Sequence, residues 1–248
     1  MIIERNWRDQ VPYMGHIAAI IWPFYRAEES ENPAEIARLR VMNSFVKHGL
    51  QGRQQSDHHH HTNIEQMYYV LRGGGQMLLG DEKHTVREGD AVYVPVNLPH
   101  QAFNESNEWM VHLIGSCPLT DIKGGSPAIQ NWRDAQVLSD KEHMTSWPLL
   151  CKEGVRSVED GGVLQRMNGV SRHSVAGTDA KQQMLSKDME EVHYFVSGRG
   201  YVASEIEQYD VMEGSAVHVP PGVPYSLTST GTDPLILVTF SAAIKTDG

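Results

Sequence analysis

The sequence predicts an all-β protein made of two tandem antiparallel β-barrels, with few short helices. The chain repeats itself once over its whole length. Its apolar residues occur in short runs rich in β-branched and aromatic side chains, which favour strands. Glycines separate almost every run, as expected where tight turns join antiparallel strands. We therefore expect two copies of one jelly-roll-like unit, related by internal duplication.

The repeat is visible when the chain is aligned with itself without any gap. One offset carries Asn6-Trp7-Arg8-Asp9 onto Asn131-Trp132-Arg133-Asp134, and Trp22-Pro23 onto Trp147-Pro148. The period is far longer than the unit of a solenoid protein, so it indicates a duplicated domain. We place the boundary near Gly124-Gly125, which predicts domains 1–124 and 125–248.

Strand-like runs occur at equivalent places in the two halves, and each half is long enough to bury a core of its own. The clearest runs are Met67–Leu71, Ala91–Val94, Val111–Ile114, Val192–Val196, Ala216–Val219 and Leu235–Phe240. Helix is predicted at one place only, from Asn32 to Arg40, where Asn32 is a favourable N-cap and Pro33 suits the first turn. The equivalent segment, Ser157–Leu164, contains two glycines and is expected to be non-helical.

Composition and charge exclude several classes of protein. A hydrophobic content of 40% with 21% charged residues is typical of a globular chain and argues against a disordered or fibrous one. The net charge of −10 and the lack of a basic run argue against nucleic acid or a membrane as a partner. Two cysteines, Cys117 and Cys151, make neither a disulfide framework nor a zinc motif. Without an apolar signal segment or a run long enough to span a bilayer, the expected location is the cytoplasm.

A histidine-rich segment in the first half is the clearest chemical feature. The segment from His58 to His61 consists of four histidines, and His100 lies further along the same half. Residues two apart on an extended strand point to the same face, so either His59 with His61 or His58 with His60 can present two imidazoles to one ion. With His100 as a third ligand, the pattern predicts a site for a divalent transition metal. An isolated run of histidines would more simply be a solvated loop.

The spacing of these residues resembles the two sequence motifs of the cupin superfamily, and the resemblance covers both halves. In the second motif, Gly89, Pro95, His100 and Asn104 fit the family pattern without a spacing error. Asn97 replaces the family's glycine by another residue that tolerates a positive φ. The resemblance implies a bicupin, in which each half is a cupin-type barrel and only the N-terminal half keeps its metal motif.

The first motif, in which an acidic residue follows the two histidines, fits in two registers. The favoured metal ligands are His59, His61, Gln66 and His100. The alternative register uses His58, His60 and Glu65. We favour Gln66, because the strand from this ligand to Gly73 has a fixed geometry, whereas the loop before the histidines can absorb an insertion. Gln66 would leave the ligand shell uncharged, whereas Glu65 would add a negative ligand.

The second half lacks the residues for an equivalent site. Its positions equivalent to the three histidines carry Met184, Ser186 and Tyr225, and only an acidic residue, Glu191, is retained. One carboxylate does not hold a transition metal. The C-terminal barrel is therefore expected to be structural, or to form a pocket used for docking or assembly.

Tyr68 is the candidate catalytic residue. It lies two residues after Gln66 on the same face of the strand, so its phenol can exchange a proton near the open metal position. A tyrosine at this place also suits a simple core position. His48 and its equivalent His173 are expected to be structural, and His112 is the other histidine best placed for the pocket.

The resemblance implies a metal-dependent enzyme that acts on a small substrate, anionic or polyoxygenated, at one mononuclear centre. The leading hypothesis is an Fe(II) dioxygenase-type oxidoreductase, since a mainly histidine shell leaves positions for substrate and oxygen. A manganese oxalate decarboxylase is disfavoured, because Ser56 replaces the arginine of that group. The alternatives are a redox-neutral isomerase or lyase with Ni, Mn or Zn, and a non-catalytic small-molecule-binding bicupin. The candidate protein partner is a second copy in a homodimer.

Overall fold

The computed structural model describes residues 1–185 and 187–244, and strands dominate this part of the chain. The strands of the first half are β1 (Ile3–Asn6), β2 (Tyr13–Gly15), β3 (Ala19–Ala27), β4 (Ala37–Leu39), β5 (Ser44–Leu50), β6 (Ile64–Arg72), β7 (Gly74–Leu79), β8 (Glu82–Arg87), β9 (Asp90–Val94), β10 (His100–Phe103) and β11 (Met110–Pro118). The strands of the second half are β12 (Ala128–Asn131), β13 (Leu138–Lys141), β14 (Met144–Lys152), β15 (Gly162–Leu164), β16 (Met167–Val175), β17 (Ala180–Leu185), β18 (Met189–Ser197), β19 (Arg199–Ala203), β20 (Gln208–Met212), β21 (Ser215–Val219), β22 (Pro224–Ser229) and β23 (Leu235–Ala243).

Each half folds into a large sheet and a small sheet with an apolar core between them. The first large sheet has the strand order β12-β9-β6-β11-β5-β3-β2, and β10, β7 and β8 form the small sheet. The second large sheet has the order β1-β21-β18-β23-β16-β14-β13, and β17, β22, β19 and β20 form the small one. Buried side chains from both sheets fill the interior of each half. The predicted all-β fold of two antiparallel barrels is therefore confirmed.

The duplication read from the sequence is also present in the structure. The bounds of β3, β6, β9 and β11 recur at the same offset in β14, β18, β21 and β23. The repeated tryptophans form identical pairs: Trp7 with Trp22 and Trp132 with Trp147, each with ring centroids 5.5 Å apart and planes at 75°. These tryptophans therefore pack in the same way in the two copies.

The two halves exchange their first strands. β1 pairs with β21 of the second half, with Ile3 opposite His218, and β12 pairs with β9 of the first half, with Ala128 opposite Tyr93. Each large sheet thus ends in a strand that comes from the other half of the chain. A cut at residue 124 would separate both barrels from one of their strands.

The two large sheets pack against each other through a shared apolar layer. Phe45 and Phe240 meet edge to face in this layer, with ring centroids 5.2 Å apart. Phe240 also lies against Gly115, where an added Cβ would come within 2.6 Å of the Phe240 ring. Gly115 and Phe240 occupy equivalent positions of the repeat, so the pseudo-twofold axis passes between them. A large side chain on one copy thus requires a small residue on the other.

Two fully buried glutamates, Glu65 and Glu190, connect the barrels through hydrogen bonds. Each carboxylate accepts three backbone N–H bonds from the segment that enters a strand of the other barrel. The donors are Gln165, Arg166 and Met167 for Glu65, and Arg40, Val41 and Met42 for Glu190, at 2.7 to 3.0 Å. Hydrogen bonds to an ionised acceptor are stronger than neutral ones. The same pattern in both copies makes these bonds a reciprocal clasp between the barrels.

The helix predicted from Asn32 to Arg40 is wrong. The segment makes one turn, in which the N–H groups of Ile36 and Ala37 donate to the Pro33 carbonyl at 3.0 and 3.1 Å, and it then continues as strand β4. Pairing with β3 satisfies the backbone of β4, and Leu39 is buried between the barrels. Tertiary contacts thus override the local helix propensity. The one helical element in the described ranges is a 3-10 turn at Trp7–Asp9.

No helix in the described part of the chain is long and apolar enough to cross a membrane.

The Glu65→Ala variant tests the clasp. Removal of the carboxylate leaves three backbone N–H groups without their acceptor, so we expect the free energy of unfolding to fall by about 3 kcal/mol or more. Urea denaturation of the wild type and the variant measures this change. Glu82→Ala, at an 82% exposed side chain, is the control and should unfold like the wild type. A loss below about 1 kcal/mol for Glu65→Ala would contradict the clasp.

Candidate metal centre

Backbone pairing brings His59, His61 and His100 together in the first barrel. His59 and His100 form an antiparallel bridge, with N–H to carbonyl distances of 3.2 and 2.8 Å. Asn97 has a φ of 64° and donates its N–H to the His61 carbonyl at 2.7 Å. The left-handed backbone predicted for Asn97 is therefore confirmed, and it places the turn that leads to His100.

The three imidazoles have the arrangement of a metal site. One ring nitrogen from each of His59, His61 and His100 lies within 4.8 Å of the other two. The Nε2 atoms of His61 and His100 are buried, and no described residue forms a hydrogen bond with them. A buried polar atom without a partner costs about 1–3 kcal/mol, so such atoms require an explanation. The group fits a divalent transition metal, because ligation would satisfy both nitrogens.

Contacts at Nδ1 orient two of these imidazoles, those of His59 and His100. Nδ1 of His100 donates to the Leu98 carbonyl at 3.0 Å, which leaves Nε2 as the ring nitrogen with a free lone pair. Nδ1 of His59 lies 3.3 Å from the Asp57 carbonyl and 3.4 Å from the Asp57 carboxylate. Outer contacts of this kind fix the tautomer and angle of metal-binding histidines.

A second group of metal-binding side chains shares His59 with the first. It consists of His16, Asp57 and His59. The His16 ring stacks on His59 with centroids 4.8 Å apart, and its Nδ1 lies 2.8 Å from the Asp57 carboxylate. Sequence analysis missed His16 and Asp57, because neither belongs to a motif and His16 reaches the group only through the turn between β2 and β3.

Burial keeps two of the three rings neutral. Desolvation, with a smaller effect of His59, lowers the pKa of His61 to about 4. Desolvation also lowers the pKa of His100 to about 4, against the opposing effect of the Leu98 hydrogen bond. A neutral imidazole is the form that binds a metal, so both rings are ready for ligation at neutral pH.

Strand β6 places the two candidate strand ligands on opposite faces. Gln66 faces the barrel interior, where it lines the same cavity as His59 and His100, whereas Glu65 faces the other barrel and belongs to the clasp. His58 and His60 are exposed. The structure therefore brings together the residues of the favoured register and leaves those of the alternative apart. Their role as ligands stays a prediction.

A cavity of about 130 Å³ adjoins the histidine group. Tyr68 lines it, and its hydroxyl donates to Gln66 Oε1 at 3.0 Å. His112 and His48 line it as well, with ring centroids 5.4 Å apart, although we expected His48 to be structural. Both point inward because alternate residues of a strand share a face. Arg26, which sequence analysis missed, also lines the cavity.

In the second barrel, a chain of hydrogen-bonded side chains occupies the equivalent place. The Tyr225 hydroxyl donates to the Glu191 carboxylate and accepts from His193 Nε2, both at 2.8 Å. His193 Nδ1 in turn accepts from the Thr239 hydroxyl at 2.8 Å. Each of these buried groups thus finds its partner among protein side chains.

The other positions of the second barrel that are equivalent to the histidines carry different side chains. Met184 replaces His59, and its sulfur lies 3.1 Å from Nζ of Lys141. Ser186, the predicted equivalent of His61, lies outside the described residues. In the ranges that the structure does describe, the groups of metal-binding side chains all lie in the first barrel.

Comparison with known protein families finds the cupin domain twice in this chain. The family model matches residues 48–115 and residues 175–241, one segment in each barrel. The first segment contains His59, His61, Gln66 and His100. Both barrels thus carry the family pattern, and only the first retains the histidines.

Individual relatives agree with this match. An uncharacterized protein of Streptomyces coelicolor is 35% identical over 94 residues, which cover 36% of this chain and 88% of that protein. Among solved structures, the Ylba protein of E. coli matches with a TM-score of 0.71 and 12% identity, over 100% of this chain and 93% of that one. A variant of oxalate decarboxylase from Bacillus subtilis matches with a TM-score of 0.72 and 12% identity, over 97% and 79%. At such identities, the structural matches show the fold alone.

The His100→Ala variant tests the centre. Loss of one of three imidazoles should abolish stoichiometric metal binding and leave the protein folded and soluble, because His100, although buried, lines a cavity together with other polar side chains. Elemental analysis of the purified proteins measures the metal. His60→Ala, in the exposed part of the histidine run, is the matched control and should keep its metal. Unchanged metal content in His100→Ala would exclude the site.

The pH dependence of stability tests the buried chain of the second barrel. Desolvation, followed by His173 and Lys141, lowers the pKa of His193 from 6.5 to about 3. Between these values the unfolded chain binds a proton that the folded protein does not, so stability is full above about pH 6.5 and falls as the pH decreases. His193→Gln should flatten this slope by about 1.4 kcal/mol per pH unit. His143→Gln, at a partly exposed histidine, is the control and should keep the wild-type slope. If the unfolding free energies of the wild type and His193→Gln ran parallel with pH, His193 would not be the source of the pH dependence.

Proposed function

The chain belongs to the cupin domain family, and from this premise we propose that it is a metal-dependent enzyme for a small oxygen-rich substrate. The reaction would take place at one mononuclear centre in the N-terminal barrel, held by His59, His61 and His100 with Gln66 beside them. One observation carries the proposal: two buried ring nitrogens of this group, in His61 and His100, have no hydrogen-bond partner among the described residues, and His59 and His100 of the group line a cavity.

The charges around the cavity favour an anionic substrate. The three imidazoles and the Gln66 amide carry no charge in their metal-binding forms, so a bound divalent ion would keep its full charge. Asp57 lies outside this set and is already engaged by His16. Among the described residues that line the cavity, Arg26 is the one lysine, arginine, aspartate or glutamate. A carboxylate or enolate oxygen is therefore the group that this pocket stabilises best.

The cavity also limits the size of the substrate. With about 130 Å³ it is smaller than the pockets of roughly 300–1,000 Å³ that bind drug-sized ligands. Polar groups on the wall alternate with the apolar side chains of Val46, Leu50 and Ile114. A compact hydroxy acid, keto acid or sugar-acid fragment matches this volume and this mixture of surfaces.

We propose Fe(II) as the resident ion and O2-dependent oxidation as the leading reaction class. When bound, the ion would supply Lewis-acid polarisation of the substrate and, if it is iron, one-electron chemistry with O2. The protein side chains would hold the substrate and exclude water. His48 and His112 would form the wall opposite open solvent, since both are buried.

Tyr68 supports a second candidate, a redox-neutral isomerase or lyase with Ni, Mn or Zn. Burial, followed by the charge of Asp57, raises the pKa of the Tyr68 phenol well above its usual range. The phenol therefore stays protonated at neutral pH, which is the form that would act as a proton donor in the cavity. Donation of that proton to a substrate oxygen requires no oxidant, so the same residue suits proton transfer through an enediolate.

Oxygen consumption separates the two candidates. Protein purified without air would first be analysed for its metal and then supplied with catechols, hydroxy acids and sugar acids. The leading proposal predicts iron and O2 uptake that depends on one class of these substrates. Turnover of a substrate without O2 uptake would favour the isomerase or lyase. Metal with no turnover of any compound in the panel would favour a binding protein.

The Tyr68→Phe variant tests the proton donor. Positioned acid–base groups contribute about 10²- to 10⁴-fold to rate, so kcat should fall within this range while the metal content stays unchanged. Tyr69→Phe is the matched control, because Tyr69 lies on the same strand and faces the other barrel. A kcat for Tyr68→Phe within about threefold of the wild type would assign Tyr68 to packing alone.

A further inference from the structure

A second cavity lies between the barrels, on the opposite face of the first large sheet. Its volume is about 550 Å³, within the usual range of small-molecule sites. Trp22 and Trp109 form aromatic walls from the first barrel, and Val196 closes the cavity from the second. The indoles pack over Gly49, where an added Cβ would lie 3.2 Å from Trp109 and 3.3 Å from Trp22.

Lys47 brings a positive charge into this cavity. The residue is 7% exposed, and its Nζ lies 3.3 Å from the Trp7 ring centroid and 4.3 Å from that of Trp22. Within the described ranges, Lys47 forms no ion pair and donates no hydrogen bond, so the indole faces are its main compensation. Desolvation, followed by the charge of Arg8, lowers the pKa of Lys47 to about 8. The indole faces thus offset only part of the free-energy cost of burying the Lys47 ammonium group.

The position equivalent to Lys47 in the second barrel carries a different side chain with different contacts. Arg172 is the counterpart of Lys47; it lies 4.5 Å from the Trp132 ring and donates to the hydroxyl of Tyr69 at 3.4 Å. Tyr69 belongs to the other barrel, so Arg172 bridges the gap between the sheets. The shorter Lys47 makes no such bond with Tyr194, the counterpart of Tyr69, and both side chains line the cavity.

No neighbouring carboxylate forms an ion pair with Lys47 among the described residues, although the charge of Glu213 opposes part of the decrease in the Lys47 pKa. Glu213, Glu88 and the exposed Arg72 also line the cavity. Glu213 pairs with Arg8 at 3.3 Å, and Glu88 pairs with Arg133 at 3.7 Å. Each acid thus pairs with an arginine, and in the described residues Lys47 has no anion in direct contact, which leaves room for the carboxylate of a ligand.

We propose that this cavity binds a small aromatic carboxylate, with the carboxylate paired to Lys47 and the ring packed against Trp22 and Trp109. The aromatic walls favour a flat ring, and the buried ammonium favours a single negative charge. A charged, well-hydrated ligand without a ring would gain little from the walls. This site is independent of the proposed metal centre and of the reaction there.

The cavity and the metal pocket share one strand. On β5, Val46, His48 and Leu50 line the metal pocket, whereas Lys47 and Gly49 line the cavity between the barrels. An occupant that displaced Lys47 would therefore act on a strand whose other face carries His48. This arrangement places the ligand site directly behind the metal pocket.

Benzoate is the probe for the experiment, and tryptophan fluorescence is the signal, since Trp22 and Trp109 lie in the walls. The full-length protein should bind benzoate saturably. Lys47→Met should weaken this binding about tenfold or more, as should replacement of benzoate by uncharged benzamide. Arg172→Met, the equivalent change on the other side of the repeat, is the matched control and should leave the affinity unchanged.

Two further variants keep the result unambiguous. Val111→Phe should place a ring in the cavity and weaken binding while Lys47 is retained. This variant tests the site if Lys47→Met does not fold. His100→Ala should keep the affinity for benzoate, because the metal group lies in the other pocket. Absence of saturable binding in the wild type, equal binding by Lys47→Met or Val111→Phe, or loss of binding in His100→Ala would each overturn the proposal.

Discussion

The reciprocal clasp of Glu65 and Glu190 is the constraint on which the rest of the structure depends. Each carboxylate is fully buried and accepts three N–H bonds from the opposite barrel. A charged group without these bonds would be too costly to bury, so the clasp holds the two large sheets in one register. Because residues alternate along a strand, outward Glu65 sets inward Gln66 and Tyr68. The pocket composition thus follows from a contact on the other face of the sheet.

The two barrels differ in how the buried polar side chains of their interiors find hydrogen-bond partners. Both place polar side chains at one end of the sandwich, where they require partners in a medium of low polarity. In the second barrel the Tyr225 hydroxyl links Glu191 with His193, so these three buried side chains satisfy one another. In the first barrel His61 and His100 leave buried nitrogens without described partners, which is the condition a metal would relieve. In the described residues, these groups of the second barrel are thus satisfied by one another, whereas the two ring nitrogens of the first barrel are left available to a ligand.

Much of the fold could be predicted from the sequence, because repeated residues, apolar runs and turn glycines all indicate the same architecture. The left-handed turn at Asn97 and the convergence of His59, His61 and His100 followed from local spacing. The spacing to Gly73 already favoured Gln66 over Glu65, but the reason that Glu65 faces away from the histidines, its bonds to Gln165, Arg166 and Met167 of the other barrel, is visible only in the folded protein. The exchange of β1 and β12 was missed for the same reason, since pairing between distant strands leaves no local pattern. His16 and Arg26 reach the pocket through long-range folding and belong to no motif.

Anomalous X-ray diffraction tests the central claim most directly, with crystals of protein purified without air and data at the absorption edges of iron, manganese, nickel and zinc. We predict a single anomalous peak about 2.0–2.2 Å from one ring nitrogen of each of His59, His61 and His100, and none in the second barrel. A peak beside Tyr225, or side chains of the three histidines that turn away from one another into solvent, would contradict this account.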